Sequence, residues 1–347
     1  MDAIRHHSFG PPEVLVLEQV PDPVPGPGEV LVDAVAHGVH LLDTSIRRGE
    51  AGPPLPLPTL PTVPGREIAG TVSALGDGVD PAWAGRPVAA HLGPVPDGGG
   101  YARRVVVGAD RLHALPETPD GTPLDPAAAI AMIGTGRMAA YTLDVAAVTP
   151  DDVVVVTGAA GGLGTLFVQE ALHDGARVVA LAGGPAKLAV LRDLVSDPGR
   201  LALVDYSAPG WPDAARTALG ATPATLVLDG VGGPLGTAAT SLLSGADGAD
   251  AASAGRLVAY GWASGSANRY TAWAPDDERI ESAVEVRYAV GPDAPPMGDQ
   301  RPYQERALAH AASGRWRVVT HRVPFAQAAR AHRELEERRT TGKVVLV

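Results

Sequence analysis

The sequence predicts an α/β protein in which a small all-β barrel or sandwich accompanies a doubly wound parallel sheet. Three observations lead to this prediction. The chain has 347 residues, which suits about two domains. Its first 120 residues contain short apolar runs separated by proline and glycine, the pattern of closely spaced strands. From about residue 124, strand-like and helix-like segments alternate, as in parallel sheets covered by helices.

The predicted strands of the first part are short. VLVLEQV (14–20), EIAGTVSALG (67–76), RPVAAHLG (86–93) and GYARRVVVG (100–108) are apolar runs bounded by glycine or proline. The last residues, GKVVLV, predict a further strand after the parallel sheet is complete. We therefore predict one domain over 1–124 that is completed by 292–347.

The second domain is predicted over 125–291. It opens with an Ala-rich helix that Asp125 caps and Pro126 starts. Six candidate strands follow, separated by helices, and the first is a continuous β-branched run typical of a strand buried on both faces. These strands are DVVVVTG (152–158), ARVVALA (176–182), RLALVDY (200–206), ATLVLDGVGG (224–233), GRLVAYGWA (255–263) and EVRYAVG (285–291). Six such strands with intervening helices make a doubly wound sheet.

Composition excludes several classes of protein. The net charge of −11 disfavours nucleic acid and anionic membranes as main partners. Cysteine is absent, so there is no disulfide, no thiolate metal site and no cysteine nucleophile. The start lacks a signal-peptide pattern, and no run approaches the length of a membrane span. We expect a soluble, cytoplasmic protein, and the strong preference for arginine over lysine suggests a GC-rich bacterial genome.

The strongest chemical signal is the segment VVVVTGAAGGLGTLFVQEAL (153–172), in which a buried strand leads through a glycine-rich turn into a helix. The three glycine positions of the dinucleotide fingerprint fall on Ala159, Gly161 and Gly164. Gly161 lets the backbone approach a pyrophosphate, and Gly164 lets the helix pack closely against the strand. The helix N-terminus presents free N–H groups to the anion. The segment therefore predicts a dinucleotide site.

The end of the second strand indicates which dinucleotide binds. NAD-binding folds usually place an acidic residue there to hold the ribose hydroxyls. Here the strand ends at Ala182 and is followed by Gly183 and Gly184, so no carboxylate repels a 2′-phosphate. Lys187 follows shortly afterwards and is a candidate for contacting that phosphate. These residues favour NADPH.

The chain resembles the medium-chain dehydrogenase/reductase superfamily, specifically its zinc-free quinone oxidoreductase-like branch. The resemblance covers nearly the whole length, on HGVHLLDTSIRRG (37–49), VPGREIAGTVSALGDGV (63–79), GAAGGLG (158–164) and RRTTGKVVLV (338–347). It implies a GroES-like β-barrel catalytic domain formed by both termini and a central Rossmann domain. It also implies a homodimer joined through the last sheet strand, here EVRYAVG.

The resemblance also implies the residues of the site. A lysine, a tyrosine and an arginine hold the 2′-phosphate in this branch, and Lys187, Tyr206 and Arg338 match those places. The predicted cofactor-binding set is Ala160, Gly161, Gly162, Leu163, Gly183, Gly184, Lys187, Tyr206, Gly261, Trp262 and Arg338. His40 and Asp43 are the predicted catalytic residues, because His40 stands near the implied nicotinamide position and an imidazole can supply a proton there. An alternative is that His40 only shapes the pocket.

Several positions depart from the pattern of relatives. Zinc-dependent members use cysteine and histidine where this chain has His40 and Arg66, so no metal site is predicted. Quinone reductases usually carry Asn where His40 stands. Their GLTA motif is here Gly136-Arg137-Met138-Ala139, and Trp262 replaces a small amide. These changes suggest a rebuilt substrate pocket and a specialised substrate.

The resemblance implies a zinc-independent, NADPH-dependent reductase that transfers hydride to a quinone or an α,β-unsaturated carbonyl. Zinc-free members lack a Lewis acid, and acceptors already activated by conjugation suit them. Three alternatives stay open. One is an enoyl-thioester or polyketide enone reductase of a biosynthetic pathway, and another is a non-catalytic NADPH-binding protein. The third is a non-redox enzyme on this fold, which would convert its substrate without consuming NADPH. A small-molecule substrate is expected in either enzymatic case.

Overall fold

The structure is a computed structural model that describes residues 1–50, 56–93, 99–195, 198–248 and 254–347. The chain forms two compact units. The first contains Met1–Arg137, Gln304–Gly314 and Val318–Val347, and the second contains Met138–Tyr303 and Arg315–Arg317. The sequence predicts that the second domain ends at residue 291, whereas the structure continues the second unit to Tyr303 and adds Arg315–Arg317. The sequence predicts the first boundary at 124/125, whereas the structure keeps residues up to Arg137 with the β unit. The reason is that helix Pro126–Ala131 packs against strands of that unit.

The first unit is built around a mainly antiparallel sheet. The strands of this unit are β1 (Asp2–Arg5), β2 (Val16–Gln19), β3 (Glu29–Gly38), β4 (Glu67–Leu75), β5 (Pro87–His91), β6 (Arg104–Gly108), β7 (Leu112–Ala114), β14 (Thr320–Val323) and β15 (Lys343–Leu346). The strand order of the main sheet is β14-β15-β3-β4-β5-β7, with β6 paired to β3 and only β14 and β15 parallel. Strands β1 and β2 pair with each other in a separate antiparallel sheet. The C-terminal strand β15 pairs with β3, so the end of the chain completes the barrel-like sheet.

Helices complete the first unit. They are α1 (Leu41–Arg48), α2 (Pro126–Ala131), most of α8 (Arg301–Ala312) and α9 (Ala328–Glu336). The Ala-rich segment that predicted one helix is divided in the structure. A π-helical turn, Met132–Gly136, separates α2 from α3 (Arg137–Ala146). Such turns in α-helices are frequent at functional sites.

The second unit is a six-stranded parallel sheet with the order β10-β9-β8-β11-β12-β13. The predicted doubly wound sheet is therefore confirmed. Its strands are β8 (Val153–Val156), β9 (Arg177–Ala182), β10 (Leu201–Asp205), β11 (Leu226–Asp229), β12 (Arg256–Ala259) and β13 (Glu285–Tyr288). Its helices, besides nearly all of α3, are α4 (Gly162–His173), α5 (Pro185–Leu194), α6 (Trp211–Leu219) and α7 (Gly233–Thr240).

The core of the second unit explains why these strands form a parallel sheet. All four residues of β8 are buried, as are Val178–Ala182 of β9 and the whole of β11. Strands covered by helices on both faces need such continuous apolar runs. Strand order reverses at β8 and β11, the edge where doubly wound sheets bind their ligands.

Candidate active site

The turn after β8 has the geometry that a pyrophosphate needs. Gly158 adopts a positive φ of 57°, and a side chain at Gly164 would overlap the backbone of Gly158 and Ala159. Gly161 is the N-cap of α4, and in this fully described segment no side chain caps the helix. The first N–H groups of α4 are therefore left for a ligand, and Gly161 to Leu163 are partly exposed. The residues present fit a bound dinucleotide.

The loop after β9 is shaped around Tyr206. A side chain at Gly183 would lie 3.1 Å from the Tyr206 ring, so the absence of one lets the ring pack on the backbone. Gly184 has a φ of 86° and is the N-cap of α5, so Lys187 lies in the first turn of that helix. The structure thus brings Gly183, Gly184, Lys187 and Tyr206 to one edge of the sheet.

A carboxylate also lies at this edge, contributed by the neighbouring strand rather than by β9. Asp205 pairs with Ala182 in register, and its Oδ1 accepts hydrogen bonds from Gly184 N at 2.8 Å and Ser207 N at 2.9 Å. Asp205 Oδ1 also accepts a hydrogen bond from the Ser207 hydroxyl at 2.5 Å. This bond is the largest cause of the lowered pKa of Asp205, and the two backbone hydrogen bonds lower it further. The sequence pattern at the end of β9 alone does not predict this residue.

Gly261 and Trp262 follow β12, next to the end of β11. Asp229, which ends β11, is buried and accepts hydrogen bonds from Thr157 Oγ1 at 2.7 Å and from Val231 N at 3.0 Å. Trp262 is half exposed, and its ring centroid lies 5.0 Å from that of Trp273. Arg338 belongs to the first unit, where it adopts a φ of 57° after α9 and donates its backbone N–H to Leu335 O.

A cluster of charged side chains surrounds His40 in the first unit. His40 Nε2 lies 2.6 Å from Glu67 Oε1, and Lys343 Nζ lies 3.1 Å from Glu67 Oε2. Lys343 Nζ also lies 2.9 Å from His40 Nε2. The cluster combines β4, β15 and the residue before α1, which are far apart in sequence.

Two glycines make room for the buried carboxylate of Glu67. A side chain at Gly134, in the π-helical turn, would overlap Oε1, and one at Gly38, which ends β3, would overlap Oε2. Glu67 is fully buried, and burying a charge is costly unless partners of opposite charge accompany it. Lys343 is such a partner. The two glycines therefore leave the space that this buried carboxylate occupies.

Burial and charge act against each other on these three groups. Burial would raise the pKa of Glu67, but the charges of His40 and Lys343 hold it well below its usual range. Burial lowers the pKa of His40, although Glu67 opposes this effect. Burial also lowers the pKa of Lys343 against the attraction of Glu67. Near neutral pH the arrangement favours an ionised Glu67 beside a neutral imidazole.

Asp43 holds the start of α1 in place. Its Oδ2 accepts a hydrogen bond from His40 N at 2.8 Å, and its Oδ1 lies 3.5 Å from Arg66 Nε. Asp43 is buried, so its carboxylate fixes the backbone at His40. The structure thus brings the two predicted catalytic residues together, and it gives Asp43 a positioning contact with His40.

Glu67 and Lys343 were missed by the sequence analysis. Glu67 lies in the quoted segment VPGREIAG and Lys343 in TGKVVLV, but nothing local to either segment signals their contact. One signal was present, since Lys343 is one of two lysines in an arginine-rich chain and lies in an apolar strand. Among the described residues, no three His, Asp or Glu side chains are grouped as a metal ion requires.

Comparisons with known proteins agree with this architecture. The domain family "Alcohol dehydrogenase GroES-like domain" matches residues 26–117, and the family "Zinc-binding dehydrogenase" matches residues 199–346. A quinone oxidoreductase of Pseudomonas aeruginosa is 30% identical over 350 residues, covering 99% of this chain and 98% of the relative. A 2-haloacrylate reductase of a Burkholderia species is 29% identical over 350 residues, covering 98% of this chain and 97% of the relative.

Solved structures give the same result. A mycobacterial protein in complex with NADPH superimposes with a TM-score of 0.78 at 30% identity, and both chains are fully covered. An NAD-dependent alcohol dehydrogenase superimposes with a TM-score of 0.77 at 28% identity, covering 100% of this chain and 99% of the other.

The fold and the dinucleotide turn define an oxidoreductase. The chain belongs to the medium-chain dehydrogenase/reductase superfamily, in its quinone oxidoreductase-like branch. The GroES-like and Rossmann domains that the resemblance implied are thereby confirmed. In the parts of the chain that the structure describes, no helix is both long and apolar enough to cross a membrane.

Proposed function

We propose that this chain is an NADPH-dependent reductase that acts on the carbon–carbon double bond of an α,β-unsaturated carbonyl compound, without a metal ion. The glycine-lined turn between β8 and α4, with its uncapped helix N-terminus, carries the assignment of a dinucleotide cofactor. When bound, NADPH supplies a hydride from its nicotinamide ring. A quinone is the second candidate acceptor, and the Pseudomonas aeruginosa relative named quinone oxidoreductase supports it.

The cluster around His40 favours the double bond over the quinone. Reduction of a carbon–carbon double bond requires a proton on carbon after hydride transfer, so a positioned proton donor accelerates it. A reduced quinone is protonated on oxygen, and water supplies those protons readily. His40, with Glu67 and Lys343 within ion-pair distance, is a positioned titratable group of this kind. The relative named 2-haloacrylate reductase supports an activated double bond as well.

Cofactor contacts follow from the residues at the sheet edge. We propose that the α4 N-terminus at Gly161, Gly162 and Leu163 binds the pyrophosphate, together with Ala160 before it. Lys187 and Tyr206 hold the 2′-phosphate, beside Gly183 and Gly184. Gly261 and Trp262 adjoin the cofactor after β12.

An acceptor panel tests the proposed function. The protein is incubated with NADPH and with matched enones, acrylates, enoyl thioesters and quinones, and products are identified by mass. We expect saturated products from at least one double-bond acceptor. In that reaction, His40→Ala should lower turnover by roughly 10²-fold while NADPH affinity stays nearly constant. NADPH binding without oxidation by any acceptor would instead indicate a binding protein.

We further propose a homodimer joined through β13. This strand is at one edge of the six-stranded sheet, and an unpaired edge exposes backbone groups that a twin strand can satisfy. Light scattering at micromolar concentration should give twice the chain mass. A proline replacing Val286, in the middle of β13, should shift the protein toward monomer, whereas a wild-type monomer would refute the proposal.

A further inference from the structure

We propose that the acceptor of this reductase is an α,β-unsaturated carboxylate, and that Arg66 and Arg137 bind its carboxylate group beside His40. The inference rests on the proposed reduction of a carbon–carbon double bond, and it narrows the acceptor from carbonyl compounds in general to acids that are anionic near neutral pH. All three residues belong to the first unit of the fold.

Positive charges outnumber negative charges in the cluster around this histidine. The cluster combines two carboxylates with three cationic side chains: Glu67 and Asp43, and Arg66, Arg137 and Lys343. Glu67 Oε2 lies 3.1 Å from Lys343 Nζ, so these two charges compensate each other. Among the described residues of the cluster, one positive charge is left in excess, although the whole chain has a net charge of −11. A local excess of this sign favours an anionic ligand.

Arg66 has a hydrogen-bond donor that the described residues do not use. Its Nε is buried and has no hydrogen-bond partner among them. Asp43 Oδ1 lies 3.5 Å from this nitrogen, which is longer than an ordinary hydrogen bond. A buried donor without an acceptor is costly, whereas a guanidinium group binds a carboxylate through two parallel hydrogen bonds. A carboxylate ligand therefore supplies the acceptor that Arg66 lacks.

Arg137 adds a second guanidinium group to this cluster. It is the first residue of α3, directly after the π-helical turn in which Gly134 lies against Glu67. Burial lowers the pKa of Arg137, the charge of Glu67 opposes this effect, and the charge of Arg66 adds to it. The two guanidinium groups thus repel each other in partly buried positions. An anion that contacts both of them relieves this repulsion.

Both arginines stand where the resemblance implies other residues. Arg66 occupies the place of a zinc-binding histidine, and Arg137 occupies the place of the leucine in the GLTA motif. The positive charge at these two positions is therefore a feature of this chain and not of the pattern that it resembles. It accords with the rebuilt substrate pocket that the sequence predicts.

A carboxylate bound by Arg66 brings the reacting carbons close to His40. The two residues are held by one side chain, because Asp43 Oδ1 faces Arg66 and Asp43 Oδ2 accepts a hydrogen bond from His40 N at 2.8 Å. In an α,β-unsaturated carboxylate, the α-carbon is attached directly to the carboxylate carbon. It is this α-carbon that receives a proton after hydride has been transferred to the β-carbon.

The arginines also favour the reaction itself. Hydride forms a C–H bond at the β-carbon as the C=C π bond breaks, and the electron pair moves onto the carboxylate oxygens. A solvent proton, delivered through His40 as proposed above, then forms the C–H bond at the α-carbon. The double bond is reduced and the cofactor is oxidised, so atoms and electrons balance. Arg66 and Arg137 stabilise the additional negative charge that the carboxylate oxygens carry between these two steps.

The first test compares acids with their own esters. Acrylate, 2-methylacrylate and 2-chloroacrylate are each paired with the methyl ester, which has the same carbon skeleton without the charge. NADPH oxidation is measured and products are identified by mass. We expect kcat/KM of at least one acid to exceed that of its ester by roughly tenfold or more, although the ester is intrinsically more electrophilic. Esters that are reduced as well as or better than every acid would overturn the proposal.

The second test removes the arginine charges one at a time. In Arg66→Gln and in Arg137→Gln, the ratio of acid to ester kcat/KM should fall on the order of tenfold. Arg66→Lys keeps the charge but not the paired hydrogen bonds, so it should restore only part of the ratio. Arg104→Gln, which alters an exposed arginine of β6, is the matched control and should leave the ratio unchanged. A ratio that is the same in wild type, Arg66→Gln and Arg137→Gln would overturn the proposal.

A binding measurement separates this inference from the proposed function. Saturation-transfer NMR of the wild-type protein should detect acrylate but not methyl acrylate, and Arg66→Lys should weaken the acrylate signal. If the wild type reduces esters or enones but binds no acid, the carboxylate site is refuted and the reductase assignment stands. If it oxidises NADPH with no acceptor, the proposed function fails. Acrylate binding that is absent, or that is equal in wild type and Arg66→Lys, then refutes the carboxylate site as well.

Discussion

The loop after β9 is flanked by an acidic residue, Asp205 at the end of β10, and a basic residue, Lys187 in α5. Asp205 directs Oδ1 at the backbone N–H groups of Gly184 and Ser207, so its negative charge is partly neutralised by donors. Lys187 lies in the first turn of α5. We propose that discrimination between NADPH and NADH depends on this lysine.

Replacing Lys187 by Ala should weaken NADPH binding while barely affecting NADH. A hydrogen bond to a charged group contributes roughly 1.5–3 kcal/mol, so the NADPH dissociation constant should rise on the order of tenfold or more. Fluorescence titration of both cofactors measures this difference. Arg192→Ala, which changes an exposed residue of the same helix, is the control and should alter neither affinity. Equal weakening of both cofactors by Lys187→Ala contradicts the assignment.

At the scale of elements, the π-helical turn Met132–Gly136 serves the cluster around His40. Regular α-helix was predicted here because the residues are Ala-rich and apolar, and nothing in that pattern signals an inserted residue. The turn places Gly134 against Glu67, where only a glycine leaves enough space. The local sequence pattern thus predicts that a helix forms. The close contact of Gly134 with Glu67 of β4 accounts for the π-helical geometry of this turn.

Gly134→Ala should displace Glu67 and destabilise the first unit. The added methyl group overlaps Oε1, and overpacking of this kind typically costs about 1–3 kcal/mol. Denaturant unfolding measures the loss, and turnover with the preferred acceptor should fall as well. Thr135→Ala in the same turn is the matched control and should change the unfolding free energy by less than about 0.5 kcal/mol. Equal stability of Gly134→Ala and wild type would show that Glu67 does not need this space.

At the scale of the whole molecule, buried histidines make stability depend on pH. Burial lowers the pKa of His37, His91 and His332 to about 4 each, against an ordinary value of 6.5. His37 Nε2 and His332 Nδ1 have no hydrogen-bond partner in the described chain. A proton added to either ring would place a charge in the core without an acceptor.

Stability should therefore fall as the pH is lowered from 6.5 to 4. In this range the unfolded chain binds more protons than the folded one, so the free energy of unfolding decreases by up to about 1.4 kcal/mol per pH unit for each histidine. Their contribution is complete above pH 6.5. Urea unfolding at pH 7.5, 6 and 5 measures the slope, and His332→Gln should reduce it. A free energy of unfolding that is constant over this range would contradict the burial of neutral histidines.

How far the sequence predicts this molecule depends on whether the relevant contacts are local. The turn from β8 to α4 lies within one segment, so Gly161 and Gly164 were recognisable from spacing alone. Asp205 was missed because its approach to Gly184 depends on pairing of β9 with β10. Glu67 and Lys343 meet His40 only through the register of β15, β3 and β4. Strand pairing at long sequence separation was the information that the local pattern lacked.

Direct transfer of hydride to carbon in the absence of metal tests the central claim most directly. The protein is incubated with an excess of metal chelator, an α,β-unsaturated carbonyl acceptor and NADPH that carries deuterium at both C4 positions. Mass spectrometry should find a saturated product that has gained one deuterium from the cofactor and one hydrogen from solvent. Absence of product, product without deuterium, or activity that returns only when zinc is added would contradict this account.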